Sequence, residues 1–598
     1  MRYVSTRGGV PAVSFTEALL TGTPRDGGAY VPERVPKINV KKLSNHSFES
    51  LLVETLSLFI DKEDFDRETL RDVARATCKT YGEDAMMNVA PVERLGARRG
   101  ARDARRYEAF RGPTLSAEDA STQMCARLID AALKKRGKRA NVICATTGEA
   151  GGALAKAAAE MKCVDAWIVY PGDEGDVSDE QEREMTCHVE DHVHPVKVFE
   201  CPDGMSDVDA VVTDVLNDDA FRLANGLVSI NTLNVARVLC FVPYFFHAYF
   251  QVRTTRADIG KEVVFSIPSS SFALEFAGHL ARMMGLPITV LSACNVNGAA
   301  HRVVSMGELY KTDMVHTSSS ALDVVVSENL WRSIYYASDS NPLILSELQD
   351  DFDEDGEVVL PPEIVARLGA VFKSAVVDEE TVFATIRDEE RVGFIPCPQT
   401  AVAIAAIDAL RDDIADDVPV VAFAVSHPSK FPEVIRKAIP GAAPTGATHP
   451  SIDATHGLFH RRRTCSLEEL ERSLRRDIPA VSSMRSPAPI KIERLLLSRE
   501  TYERIYIPSI HKHRGGNTAR NKTGLAAVLD NPLLTALVSL AVAYWAKVTA
   551  PEPNAKPRAN AKPRAADAVG VVAYARRRRG PRPPNVNFTR VPSRDILC

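Results

Sequence analysis

Between about Ala140 and Pro440, short runs rich in valine and isoleucine alternate with longer stretches of helical character. The clearest strand-like runs are Asn141–Ala145, Ala166–Tyr170, Val263–Pro268, Ile288–Ser292 and Val418–Val425. Each is followed by a Gly, Ser or Pro turn and then a helix such as Ala150–Met161 or Phe272–Met284. Alternation of strand, turn and helix predicts an α/β protein with parallel sheets. Ligands in such folds sit at the carboxyl ends of strands, where helix N-termini present free N–H groups. Ahead of this core, Met1 to about Ala101 is mixed and largely helical. A turn-forming stretch (Asp26, Gly27, Gly28, then Tyr30, Val31, Pro32) follows its first amphipathic segment.

Beyond the core the pattern weakens. Gly441 to Arg463 is rich in Gly, Ala, Pro, Thr and Arg and reads as a loop, and Ser466–His513 as a short helical closing segment. From Arg514 the chain changes character. One apolar run, Leu533–Ala546, precedes the imperfect tandem NAKPRANAKPRA and the cluster Arg576–Arg579. The organisation expected is a first domain over 1–101, an α/β core over 102–440, a loop and α-rich segment over 441–516, and a low-complexity basic tail over 517–598 expected to be disordered.

Length and charge sharpen this. A chain of 598 residues is too long for one core. A hydrophobic fraction of 45% with 25% charged residues argues against global disorder. The net charge of −5 conceals a basic tail: Pro551–Cys598 carries eleven Lys/Arg against three acids, a net of +8, leaving about −13 on the 550 residues before it. There is no strong nucleic-acid signal outside that tail. The tail itself would show salt-dependent nucleic-acid binding if Arg576–Arg579 formed a contact patch, and a solvated segment is the simpler reading. Leu533–Ala546 falls short of the roughly 20 residues that span a bilayer, so a membrane partner is not expected. Eleven scattered cysteines without a C-x-x-C pair read as reduced intracellular thiols. The opening MRYVSTRGGV has no stretch of signal-peptide length, and cytoplasm is the expected location. Cys187, His188, His192 and His194 cluster in sequence, but a surface loop is preferred there and no metal site is expected.

Eight ordered blocks carry a resemblance over about the first 440 residues. They are RYVSTRGG with SFTEALLTG and DGGAYVP, FRGPTLSAEDASTQ (Phe110–Gln123), ATTGEAGGA (Ala145–Ala153), SINTLNVARV (Ser229–Val238), IPSSSFALEFAGHLARMMGLPI (Ile267–Ile288), ACNVNG, TAVAIAA and SHPSKFP (Ser426–Pro432). Together they resemble threonine synthases of the bacterial and fungal type. The resemblance implies pyridoxal-phosphate fold-type II, similar to tryptophan synthase β, with two parallel-sheet lobes, interleaved along the chain and facing a cleft. It also implies a lyase of threonine biosynthesis that converts O-phosphohomoserine and water to threonine and phosphate. In that chemistry a lysine holds the cofactor as a Schiff base, which only a neutral amine can form.

The decisive position departs from the family. Its Phe-Lys-Asp reads Ala117, Glu118, Asp119 here, and a carboxylate forms no imine. Lys134 and Lys135 lie four to five helical turns downstream, at about 1.5 Å rise per residue, out of reach. Misalignment, with another lysine serving, is set against the ungapped brackets Gly112–Thr114 and Asp119 with Gln123. The glycines that admit a cofactor phosphate are missing from Ser269, Ser270, Ser271, Phe272 and Ala273, where a side chain blocks backbone approach and penalises positive φ. The family's Ser-Gly-Asp-Thr reads Thr147, Gly148, Glu149, Ala150. Its Asn-Asp reads Asn297, Gly298, and its Asp-Pro-His-Thr reads Cys397, Pro398, Gln399, Thr400. Asn231, Thr232, Asn234 and Arg237 keep the family's substrate-binding pattern, and Ser426 with His427 stands near the expected pyridine nitrogen.

The expectation is therefore a threonine synthase homologue without catalytic residues. The degenerate cofactor site comprises Thr147, Gly148, Glu149, Ser269, Ser270, Ser271 and Ser426, and pyridoxal phosphate is not covalently bound. The chain is expected to act as a regulatory pseudoenzyme on a protein partner, such as an active paralogue, or on a small phosphorylated or carboxylate ligand held through helix N-termini. The alternative is an active threonine synthase or related pyridoxal-phosphate lyase using the same cleft.

Overall fold

The computed structural model describes residues 1–82, 89–96, 103–187, 189–441 and 446–481. The expected helical segment past 481, the apolar run Leu533–Ala546, the basic tail and His188 lie outside the described residues.

Strands β1 (Tyr3–Ser5) and β2 (Tyr30–Pro32) form an antiparallel ribbon. β3 (Val92–Arg94) and β4 (Ala104–Glu108) begin a six-stranded sheet. The chain then leaves it for a five-stranded sheet built from β5 (Ala140–Ala145), β6 (Val164–Pro171), β7 (Val193–Phe199) and β8 (Leu227–Ser229). It returns through β9 (Val263–Pro268) and β10 (Ile288–Cys294), makes a second ribbon from β11 (Glu308–Tyr310) and β12 (Glu357–Val359), and completes the first sheet with β13 (Phe372–Val376) and β14 (Val420–Ala424). β15 (Arg463–Ser466) is an edge of the second sheet.

The orders are β13-β10-β9-β14-β4-β3 and β15-β7-β6-β5-β8. Every pairing is parallel except β3 with β4. The apolar runs explain this. β5, β9 and β14 are buried along their whole length, and parallel strands covered by helices on both faces need unbroken rather than alternating hydrophobicity. The sequence reading expects a loop through Arg463, yet Arg463↔Val196 to Ser466↔Phe199 pair in register. Four residues held by backbone hydrogen bonds are too few to carry a hydrophobic period.

Helix Val235–Val252 is the axis of the larger core. Among the described residues it is the one helix long and apolar enough to cross a membrane, and 83% of it is buried inside the fold, the position of a core helix that is hydrophobic all round. Its Phe245 meets Phe265 of β9 at 5.4 Å and Phe423 of β14 at 5.2 Å, while Tyr107 of β4 meets Phe423 at 5.1 Å. These edge-on and tilted contacts tie three neighbouring strands to one helix.

Truncating Phe423, which is 0% exposed, removes the centre of this cluster. Phe423→Ala is expected to lower unfolding free energy by about 3–5 kcal/mol, read from urea denaturation. A loss under about 1 kcal/mol would mean the site collapses around the gap or is loosely packed.

Candidate functional site

The carboxyl ends of the parallel strands converge on a cleft of about 300 Å³. Thr146, Thr147 and Glu149 follow β5, Asn231 and Thr232 follow β8, Ser270 and Ser271 follow β9, and Ser426 follows β14. Backbone pairing fixes the entry of Glu118. Ser116 bridges to Ser426, and the Ala117 N–H donates to Val425 O at 2.7 Å. Helix Glu118–Arg136 thus begins at the cleft wall.

Glu118 is the first residue of that helix and a quarter exposed, while its partner Arg237 is fully buried. The Arg237 guanidinium donates Nη2 to Glu118, Nε to Ser121 Oγ at 2.9 Å and Nη1 to Ile230 O at 2.9 Å. Burial pushes the Glu118 carboxyl above its ordinary range, and Arg237 pulls it back. A helix N-terminus further favours a carboxylate. The acid is thus accommodated by a buried cation and a helix dipole.

Lys134 and Lys135 belong to the far end of the same helix, where the Lys135 ammonium donates to the carbonyls of Glu63 and Asp64. One lysine does lie close by. Lys430 is 0% exposed, with Nζ at 3.0 Å from Glu149 Oε1, 2.7 Å from Glu184 Oε2 and 2.9 Å from Thr114 O. It sits behind the cleft wall, and its carboxylates raise its pKa above the ordinary lysine value. Its amine is a charged structural group, out of contact with the cavity. No lysine lines the cleft among the described residues. The pattern SHPSKFP contains Lys430, but only the fold brings it beneath Glu149.

Of the residues expected in the site, Glu118, Thr147, Glu149, Asn231, Thr232, Arg237, Ser270, Ser271 and Ser426 line the cleft; Gly148, Ser269 and Asn234 do not. Gly148 (φ +117°) caps helix Glu149–Ala158 and supports the loop from behind, where an added Cβ would lie 2.8 Å from Gln181 Cβ. Asn234 is an N-cap. Its Oδ1 accepts the Ala236 N–H, and its Nδ2 donates to Leu19 O and Ser229 O, so it serves the fold rather than a ligand. Arg237 lines the cleft with its donors already committed to protein atoms.

The turn after β9 carries a positive φ at one of the five positions named from the sequence. Its positive φ belongs to Phe272 (φ 63°, ψ 13°), the N-cap of helix Ala273–Met284, and not to the serines or Ala273. Backbone strain in this turn therefore falls on Phe272 and not on the serines. Ser270 O accepts from Ser327 Oγ at 2.7 Å, and Ser271 Oγ lies 3.1 Å from Thr232 Oγ1.

Ser426 Oγ donates to Glu149 Oε2 at 2.7 Å. His427 turns away into a separate cavity, its ring 5.5 Å from Phe110 and 5.2 Å from His449. Among the histidines of the sequence cluster, His192 Nε2 lies 2.7 Å from Ala158 O and His194 packs on Trp167 at 4.5 Å.

Three cleft residues escape sequence reasoning as site residues. Gln399 is named there only as a family substitution, and Asp209 and Glu328 lie in no recognisable motif. Asp209, which accepts a hydrogen bond from Asn231 Nδ2 at 3.1 Å, and Glu328 both line the cavity. Burial, and secondarily the Asp209 charge, raises the Glu328 carboxyl to about 8. Its folded pKa therefore exceeds its unfolded value, so its contribution to stability is full below about 4.5 and is lost as pH rises through 8. Wild-type unfolding free energy is expected to fall more steeply between pH 5 and 8.5 than that of Glu328→Gln, by on the order of 2 kcal/mol. Urea denaturation at the two pH values checks this, and parallel pH profiles would refute it.

Two family models match the chain, one described as threonine synthase N terminus over residues 2–78 and one as threonine synthase, C-terminal, over residues 400–476. Threonine synthase of Pseudomonas aeruginosa is 32% identical over 473 residues, 78% of this chain and 95% of that protein. Threonine synthase-like 2 of Homo sapiens is 30% identical over 476 residues, 78% of this chain and 94% of that protein. The solved structure of pyridoxal-phosphate-bound threonine synthase from Brucella melitensis aligns at a TM-score of 0.71 and 27% identity, covering 80% of this chain and 100% of that one. The yeast threonine synthase structure has the same fold, with a TM-score of 0.72. The two parallel sheets around a cleft are thus the fold-type II arrangement, whose family cofactor is pyridoxal phosphate. With these matches spanning nearly the whole of its relatives, the chain belongs to the threonine synthase family.

Proposed function

We propose that this chain is a catalytically silent threonine synthase homologue that acts by binding, as a cytoplasmic pseudoenzyme regulating a protein partner such as an active paralogue. The observation that carries the reading is the Glu118–Arg237 ion pair at the mouth of helix Glu118–Arg136, together with the lack of any lysine among the described cleft-lining residues. These residues do not fit pyridoxal phosphate as a lysine-held group. The cleft offers an aldehyde carboxylates and hydroxyls but no free amine among its described lining residues, and the nearby Lys430 amine is charged and enclosed by two carboxylates. No catalytic step is assigned through the cofactor.

The surroundings of Glu118 would keep an amine placed there neutral. A lysine introduced there would sit at a helix N-terminus beside a buried guanidinium, and both positive fields lower an ammonium pKa. The expected outcome follows from that. Soaked in pyridoxal phosphate and dialysed, wild type retains no absorbance to the red of the free cofactor and releases no phosphate from O-phosphohomoserine. Glu118→Lys retains the red-shifted band. A band surviving dialysis in wild type, or phosphate release above background, would refute the silent assignment.

A further inference from the structure

A second cavity, of about 550 Å³, shares no lining residue with the cleft. Two chain segments form a wall between them. The His427 N–H donates to Leu115 O at 3.1 Å, and Ser116 bridges to Ser426. Leu115 and His427 line the second cavity, whereas Ser116 and Ser426 line the cleft.

The charged side chains lining the second cavity are Arg106, Arg111 and Glu108. Arg106 Nε donates to Glu108 Oε1 at 2.8 Å, and Arg111 Nε donates to Glu108 Oε2 at 2.7 Å. One buried carboxylate thus faces two guanidiniums, and positive charge is left over. Arg106 is further held by Arg94 O at 2.7 Å and lies over the Phe394 ring at 4.1 Å. Arg111 is half exposed, and its Nη1 has no partner among the described residues.

The two histidines of the lining add donors. His427 Nδ1 accepts the Ser429 N–H at 3.2 Å, and His449 Nδ1 accepts the Ser451 N–H at 3.3 Å. A backbone N–H only donates, so each neutral ring carries its proton on Nε2. Burial, and after it His449 and Arg111, push His427 down to about 4, which keeps that ring neutral at pH 7. Neither Nε2–H has a hydrogen-bond partner among the described residues. The two rings lie 5.2 Å apart, with His427 at 5.5 Å from the Phe110 ring and the Arg111 guanidinium at 6.0 Å from it. Donors from Arg111 and both histidines therefore gather around one aromatic ring, with the lining carboxylate already engaged. Unpaired N–H groups beside an uncompensated guanidinium suit an anion.

We propose that this second cavity binds a small organic anion, its carboxylate or phosphate held by Arg111 and the Nε2–H groups of His427 and His449, its apolar body against Phe110 and Phe394. The volume suits a ligand of that size.

Calorimetric titration of the full chain at pH 7 with phenyl phosphate and with 3-phenylpropanoate tests this. Saturable binding that weakens as salt is raised is expected, and the tighter of the two anions identifies the head group. The neutral 3-phenylpropanamide should bind at least about tenfold more weakly. Arg111→Met leaves Glu108 paired with Arg106, so the fold is kept, and affinity should fall about tenfold. His449→Asn keeps a capping side chain but loses the ring donor, with a similar loss expected. Absence of binding at millimolar anion, equal binding of the neutral amide, or full affinity in both variants, which would place the anion elsewhere, would each overturn the proposal. Neither variant touches the cleft, so the outcome is independent of the silent assignment.

Discussion

A guanidinium taken wholly out of water must find a counter-charge and acceptors for its donors, or the fold pays several kcal/mol for it. Arg237 is that group here. Its three hydrogen-bond directions reach Glu118 and Ser121 on one helix and the carbonyl of Ile230 just past β8. It therefore binds the wall of the cleft to the core helix Val235–Val252 and fixes where helix Glu118–Arg136 begins. An amine at position 118 would leave Arg237 without its carboxylate; a carboxylate there completes the pair. Glu118, a side chain that forms no imine, is the same residue that neutralises this buried cation.

Lys430 plays the matching part on the other side of the cleft. Buried and tripled with Glu149, Glu184 and the Thr114 carbonyl, it holds Glu149 against Ser426 and keeps the loop after β5 in place. Breaking such an arrangement strands carboxylates in a dry interior. The cleft is thus built on charge pairs whose cations are wholly buried, while the Asp209 and Glu328 carboxyls line the same cavity. The electrostatic character of the site is set by which charges have been spent on the fold.

Much of the architecture was legible in the chain. Val263–Pro268 lies where β9 is found, and Asn141–Ala145, Ala166–Tyr170, Ile288–Ser292 and Val418–Val425 fall on β5, β6, β10 and β14, with edges shifted by a few residues. Apolar runs of strand length are the direct imprint of strands covered on both faces. The ribbon β11–β12 and the edge strand β15 left no such imprint, because strands of three or four residues are too short to show a hydrophobic period.

The site divides along the same line. Residue chemistry alone makes Glu118 incapable of forming an imine, and local order places Thr147, Ser270, Asn231 and Ser426 after strands, where ligands gather. The partners of each side chain came from contacts between residues far apart in the chain. Asn234 became a cap, His427 turned to another cavity, and Lys430 went under Glu149. Asp209 and Glu328, more than a hundred positions apart, came to line one cavity. Composition and period constrain a residue's own backbone and burial, which are local quantities. Which charges meet, and which polar groups are left over to face a ligand, depends on how the two sheets close on each other, and no local pattern encodes that.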